Sequence, residues 1–323
     1  MKDIKILGIP FDYGQDHLGV RLGVDVLRSH GLLKRLRQYF PVQDLGDLIF
    51  ENKHDCFQHE KIKYFSQASS GNKSISSYIE KLNLKDSFLL NLGGDHGMSL
   101  GSIHGILSHN PETIIFWLDA HGDLNSPESS PSGNFHGMPL HFLLNHSQNK
   151  NFLWMKKNLK PHKLVLLGAR DLDPEEKKLI QDLGIIYYSS SEINEWGAQS
   201  IMHLVLKKLD PKGQFPIHLS FDVDFIDEQN FISTGTKVKN GPKLEEVFLL
   251  VCLLAETQRL KSMDLVEFNP LIGSPEDIYH SASLILDLLE MTIKQMKKSQ
   301  IHHPEVIFTP QKNSNFSQSH QAL

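Results

Sequence analysis

Residues 117–124 read WLDAHGDL, placing Asp119, His121 and Asp123 at alternate positions directly after the apolar run 114–118. Acids set this close repel each other and are costly to desolvate, so something positive must hold them there. Two other apolar runs end in a similar way. In LGGDHGMSLG, residues 92–101, Asp95 and His96 follow a Gly-Gly pair that permits close backbone approach. In HLSFDVDFID, residues 218–227, Asp222 and Asp224 alternate with apolar residues. A period of two predicts that both lie on one side of an extended chain, and it predicts the same for Asp119, His121 and Asp123. Asp95 is read as a residue that orients His96, not as a ligand.

Gathered at one rim, His96, Asp119, His121, Asp123, Asp222 and Asp224 offer four carboxylates and two imidazoles. Their charge of about −4 is what two divalent cations would neutralise. A carboxylate and imidazole set without thiolate suits Mn²⁺, with Co²⁺, Fe²⁺ or Zn²⁺ as substitutes. Two such ions roughly 3.5–4 Å apart can share a water and bring its pKa near neutrality, which is hydrolytic chemistry. Phosphate-cleaving sites of this kind usually add Lys or Arg to grip the anion. Here residues 91–136, 216–236 and 263–278 contain neither, and Asp227, Asp264 and Glu267 are expected near the remaining strand ends. Such a rim favours a small cationic substrate.

Short apolar runs alternating with helix-like stretches must position these groups. Strands are expected at KILGI near the start and over 87–94, 113–119, 163–170, 184–190, 216–224 and 262–270. Helices are expected over 20–36, 99–108, 174–183, 193–209, 244–257 and 275–296. The alternation predicts an α/β fold with a mainly parallel sheet covered on both faces, with ligands beyond the carboxyl ends of the strands. No linker or repeat divides the chain, so residues 1–308 are read as a single catalytic domain and the polar stretch 309–323 as a disordered tail. Lys and Arg total 33 against 38 Asp and Glu, a net charge of −5 that gives no support to a nucleic-acid partner. No segment has the length and apolarity of a membrane span. The two cysteines, Cys56 and Cys252, lack metal-type spacing, and a reducing cytoplasm is expected.

The motifs GGDHG, DAHGD, SFDVDFID and VEFNP, in this order, resemble those of the arginase (ureohydrolase) family, and the resemblance runs from about residue 4 to residue 297. It implies a three-layer α/β/α domain with an eight-stranded, mostly parallel sheet, and VQDLGDLIF around residue 45 is the candidate for the eighth strand. It also implies one manganese ion held by His96, Asp119, Asp123 and Asp222 and a second held by Asp119, His121, Asp222 and Asp224. Glu267 matches the acid that pairs with a substrate guanidinium. In NSPESSPSGNFHG, Asn125, Ser130, Ser132 and Asn134 would recognise an α-carboxylate and His136 would shuttle protons. Asp173 would meet an α-amino group, and Thr236 falls at a binding-loop position. The implied reaction is attack of a metal-bridging hydroxide on L-arginine, with Asp123 passing a proton to the leaving amine, giving L-ornithine and urea. A homo-oligomer, trimer or hexamer, goes with the resemblance. Agmatinase or another guanidino hydrolase, a metal-binding regulatory homologue and a metal-dependent deacylase stand as alternatives. The chain departs from the family pattern at Gly97, Lys237, Asn240 and Pro242 and in HLGVRLGV near the start.

Overall fold

The computed structural model describes residues 1–50, 61–145 and 152–301. Eight strands form one sheet: β1 (Asp3–Ile9), β2 (Val42–Asp47), β3 (Ser87–Gly93), β4 (Ile114–Leu118), β5 (Leu164–Gly168), β6 (Ile186–Ser189), β7 (Ile217–Asp222) and β8 (Leu260–Val266). Their order is β2-β1-β3-β8-β7-β4-β5-β6, and every pair is parallel. Ten helices accompany them among the described residues: α1 (Gly23–Ser29), α2 (Leu32–Leu36), α3 (Phe65–Ile79), α4 (Ser99–His109), α5 (Pro139–Asn145), α6 (Pro174–Leu183), α7 (Ser190–Trp196), α8 (Ala198–Leu209), α9 (Leu244–Glu256) and α10 (Pro275–Ile301).

The central strands are near-continuous apolar runs because both faces are covered. In β4, Ile114, Phe116 and Leu118 enter one apolar layer with residues of α1, α2, α8, α9 and α10. Ile115 and Trp117 enter the other, with residues of α3, α4 and α5. This is the three-layer α/β arrangement expected, and VQDLGD does supply the eighth strand.

Several expected elements differ. The single helix over 20–36 is a 3₁₀ turn followed by α1 and α2, broken at Gly31, whose φ of 91° no helix interior adopts. The helix over 193–209 is likewise two helices hinged at Gly197, φ 77°. The tail over 309–323 lies outside the described residues, as does Cys56. No described helix is long and apolar enough to cross a membrane.

Candidate metal centre

Five neighbouring strands, β3, β8, β7, β4 and β5, deliver the acids and histidines at their carboxyl ends. After β3 the chain must pass against the loop that follows β1: Gly94 N donates to Ile9 O at 3.0 Å, and Asp95 N to Phe11 O at 2.9 Å. A Cβ on Gly94 would collide with the Phe11 carbonyl, so glycine is required there. Asp95 then accepts from Gly14 N at 2.7 Å and from Gly97 N at 2.9 Å, which fixes the turn carrying His96. It orients His96 through the backbone only; the ring's Nε2 lies 2.8 Å from Ser220 Oγ. A Cβ on Gly97 would sit 2.7 Å from Asp95 Oδ1 and 2.9 Å from the Phe135 ring, which accounts for glycine at that departure.

The expected extended alternation does not survive beyond the strands. β4 stops at Leu118, and Asp123 has a φ of 52°, in the left-handed region. β7 stops at Asp222, whose Oδ1 accepts from Asp224 N at 2.8 Å and tightens the chain into a 3₁₀ turn over Val223–Phe225. Short acids bond their own backbone two residues on, and this competes with continued extension. The side chains converge all the same. His96 Nδ1 lies 2.9 Å from Asp119 Oδ2, 3.1 Å from Asp222 Oδ2 and 3.2 Å from Asp123 Oδ2. His121 Nδ1 lies 3.1 Å from Asp224 Oδ2 and 3.4 Å from Asp119 Oδ1. His96, Asp119 and Asp123 form one group with metal-ligand spacing; Asp119, His121 and Asp224 form a second that shares Asp119.

These residues fit a pair of cations. His96 Nδ1 is buried among three carboxylate oxygens, yet makes no well-directed hydrogen bond to any of them. Burial pushes the Asp123 carboxyl up to about 7, with the Asp119 charge adding to it, and raises Asp222 and Asp224 as well. Burial would lower His96 and His121, but the surrounding carboxylates outweigh it and hold both well above the usual range. A cation would relieve the repulsion among the acids and free the imidazoles to act as ligands.

Burial, then Glu267, pushes Asp95 up to about 8, while bonding to Glu267 overcomes burial and lifts His136 to about 9. Asp95 and Asp123 hold protons in the folded chain above 3.8, and His136 above 6.5, where the unfolded chain has released them. The metal-free fold should therefore lose stability as pH rises from about 4 to about 9. With Mn²⁺ present the trend should reverse, since ligation needs deprotonated groups. Melting temperatures across that range, with chelator and with Mn²⁺, test this; a chelated protein that grows more stable with pH contradicts it.

A cavity of about 240 Å³ opens above the cluster. Asp123, Asp171, Asp173, Glu176, Asp222 and Asp224 line it, and no described lysine or arginine does. His121, Asn125, His136 and Thr236 line it too. Asn125 Nδ2 donates to Asp173 Oδ2 at 2.8 Å, and Thr236 Oγ1 donates to Asp224 Oδ2 at 2.9 Å. Ser130, Ser132 and Asn134 are not among the lining residues. Ser130 Oγ accepts from Gly133 N and Ser132 Oγ from Asn134 N, both at 3.1 Å, while Asn134 Oδ1 is buried without a partner among the described residues. Glu267 is 1% exposed, has a φ of 68° and is not among the residues that line the cavity. Its Oε1 accepts from His96 N at 2.8 Å and lies 3.0 Å from His136 Nδ1; its Oε2 accepts from Gln15 Nε2 at 2.6 Å. Lys237 is exposed and outside the lining.

The arginase family model matches residues 2–291. The chain belongs to the arginase family. It is 39% identical over 280 residues to an arginase of Staphylococcus aureus (strain MRSA252), covering 84% of this chain and 91% of that protein. It is 35% identical over 303 residues to the mitochondrial arginase-2 of Mus musculus, covering 91% and 86%. Among solved structures, the arginase of Bacillus caldovelox superposes with a TM-score of 0.82 at 31% identity, over 91% of this chain and 98% of that one. The arginase of Entamoeba histolytica, solved in complex with L-ornithine, superposes with a TM-score of 0.81 at 28% identity, over 90% and 99%. It is a hydrolase of the arginase type.

Other residues support this arginase-family site in ways that the sequence does not show. Asp264 was placed near the rim, but it is wholly buried inside β8, where Asn91, Ser99 and Ser102 donate to its carboxylate. Ser99 Oγ lies 3.2 Å from Ser220 Oγ, so a run of hydroxyls joins Asp264 to the back of His96. Glu176 accepts from Leu124 N at 3.0 Å and from Asp173 N at 2.9 Å, tying α6 to the loop after β4. Arg170 donates from all three guanidinium nitrogens to carbonyls, including Asp224 O at 2.8 Å, Val238 O at 3.0 Å and Lys239 O at 3.1 Å. The one available signal was adjacency to strand ends, since none of these residues belongs to a metal-type spacing.

Proposed function

We propose that this enzyme hydrolyses the guanidinium group of L-arginine to L-ornithine and urea at two Mn²⁺ ions, with Co²⁺ as a substitute. What carries the reading is the pair of ligand groups sharing Asp119 beneath a cavity lined by six carboxylate residues and by no described lysine or arginine. The Entamoeba relative, solved with L-ornithine, supports that product. His96, Asp119, Asp123 and Asp222 would hold one ion, and Asp119, His121, Asp222 and Asp224 the other. When bound, the ions supply Lewis-acid activation of water near neutral pH.

The rest falls to the chain's own side chains. Glu267 takes the guanidinium through charge-assisted hydrogen bonds and holds its carbon toward the metal ligands. Asp123, on the cavity wall, carries a proton to the leaving amine. His136 lines the cavity and contacts Glu267, so it can move a proton between the site and bulk water. Asn125 on the cavity wall would receive the α-carboxylate, with Ser130, Ser132 and Asn134 on the loop that follows it outside the lining; Asp173 would receive the α-ammonium, and Thr236 stands at a binding-loop position. Matching both ends of the amino acid disfavours analogues that lack one of them. On the same reading the enzyme works in the cytoplasm as a homo-oligomer, trimer or hexamer.

Urea release by Mn²⁺-loaded protein from L-arginine, agmatine and guanidinobutyrate tests the reading. Turnover should be greatest with L-arginine. Release from agmatine alone would make the enzyme an agmatinase, and release from none would leave a metal-binding homologue.

A further inference from the structure

Gln15 lies on the loop after β1, 252 residues from Glu267 in sequence, yet its Nε2 donates to Glu267 Oε2 at 2.6 Å. The side chain is 3% exposed. A carboxylate partner fixes which way the amide points, because only the NH₂ end can donate. Oε1 must then face away from Glu267, and it meets no hydrogen-bond partner among the described residues. Gly235 approaches from the opposite loop, where a Cβ would lie 3.4 Å from Oε1. The backbone beside Gln15 is held at two points: Gly14 N donates to Asp95 Oδ2 at 2.7 Å, and Gly14 O accepts from His136 N at 3.0 Å. Glu267 is thus gripped from two directions, with His96 N and His136 on one oxygen and Gln15 on the other.

We propose that Gln15 is the positioning residue of the guanidinium-binding site: it holds Glu267 Oε2 in place and presents its own buried Oε1 beside it as an acceptor for a guanidinium N–H. The inference rests on Glu267 as the guanidinium partner. A guanidinium carries five N–H donors, more than one carboxylate edge can receive, so an acceptor of fixed direction beside Glu267 has work to do. Without Gln15, the grip on Glu267 comes from the His96 and His136 side alone. The carboxylate would then turn toward His136, and the guanidino end of the substrate would lose its alignment while the amino-acid end kept its contacts.

The test uses full-length Mn²⁺-loaded protein with Gln15→Met, close in volume, and Gln15→Glu, which sets a second acid against Glu267. Both variants should raise KM for L-arginine by at least about tenfold, with the larger effect in Gln15→Glu. The calorimetric affinity for L-ornithine, which has no guanidinium, should stay within about twofold, as should bound metal per chain. Unchanged KM in both variants overturns the proposal, and so does ornithine affinity falling in step with KM. If wild-type protein releases no urea from any guanidino compound, the arginase reading fails separately. Gln15 is then judged by calorimetry of L-arginine itself, where a loss of affinity of about tenfold supports the proposal and equal affinity sinks it.

Discussion

Asp119→Asn is expected to empty both cation sites and cut urea release by at least about 10³-fold, because Asp119 is the ligand common to the two groups. The geometry explains why so small a change is not conservative. Asp119 Oδ1 accepts from His121 N at 2.7 Å, and Oδ2 accepts from Trp117 Nε1 at 3.0 Å. Both oxygens face N–H donors, so either orientation of an asparagine amide turns its NH₂ toward another donor. Asp119 is 1% exposed, and a buried mismatch of this kind costs about 1–3 kcal/mol of stability. Metal content by elemental analysis, beside a melting curve with chelator, separates the two effects. A variant that keeps two ions per chain would remove the sharing of Asp119 from the account.

Glu267→Gln should do the opposite: keep the metal and lose the reaction. Glu267 belongs to neither ligand group, and it meets the His96 backbone N–H, leaving the imidazole free of it. Burial would raise its carboxyl, but the bond to His136 outweighs this and holds it below the usual range, so Glu267 is a carboxylate at neutral pH. Removing that charge from a buried charge-assisted pair costs about 2–5 kcal/mol, which is roughly 30- to 5,000-fold in kcat/KM. Bound Mn²⁺ should match wild type. Full activity in this variant would show that another group receives the guanidinium.

The acids and histidines that cluster were legible because they follow apolar runs with repeated short spacing, and the strands were legible because buried parallel strands are unbroken in apolar character. What misled was the assumption that spacing continues as conformation. The alternation through DAHGD and DVD ends at the strand terminus, and convergence is produced by turns, including the left-handed Asp123. Helix α3, FSQASSGNKSISSYI, has only a sparse apolar period: Phe65, Ala68, Ile75 and Ile79 share its buried face with Gly71, Asn72 and Ser76. Asn72 Oδ1 accepts from Gly101 N of α4 at 2.6 Å, so polar pairing adds to apolar contact where these helices meet. The contact of Gln15 with Glu267 and the buried partners of Asp264 were invisible for another reason. The residues so paired are far apart in the chain, and a single sequence carries no sign of such pairings.

Arg170 bears on a problem that the guanidinium group of the proposed substrate would create. The chain contains that group as a side chain of its own, tethered close to an anionic cavity and therefore present at high effective concentration. Arg170 follows β5, next to Asp171 on the cavity wall. Its Nε, Nη1 and Nη2 are all spent on main-chain oxygens, Phe225 and Lys239 among them, and none reaches a carboxylate of the rim. Caged in this way, the side chain cannot act as a resident competitor, and the pocket stays open to molecules arriving from solution.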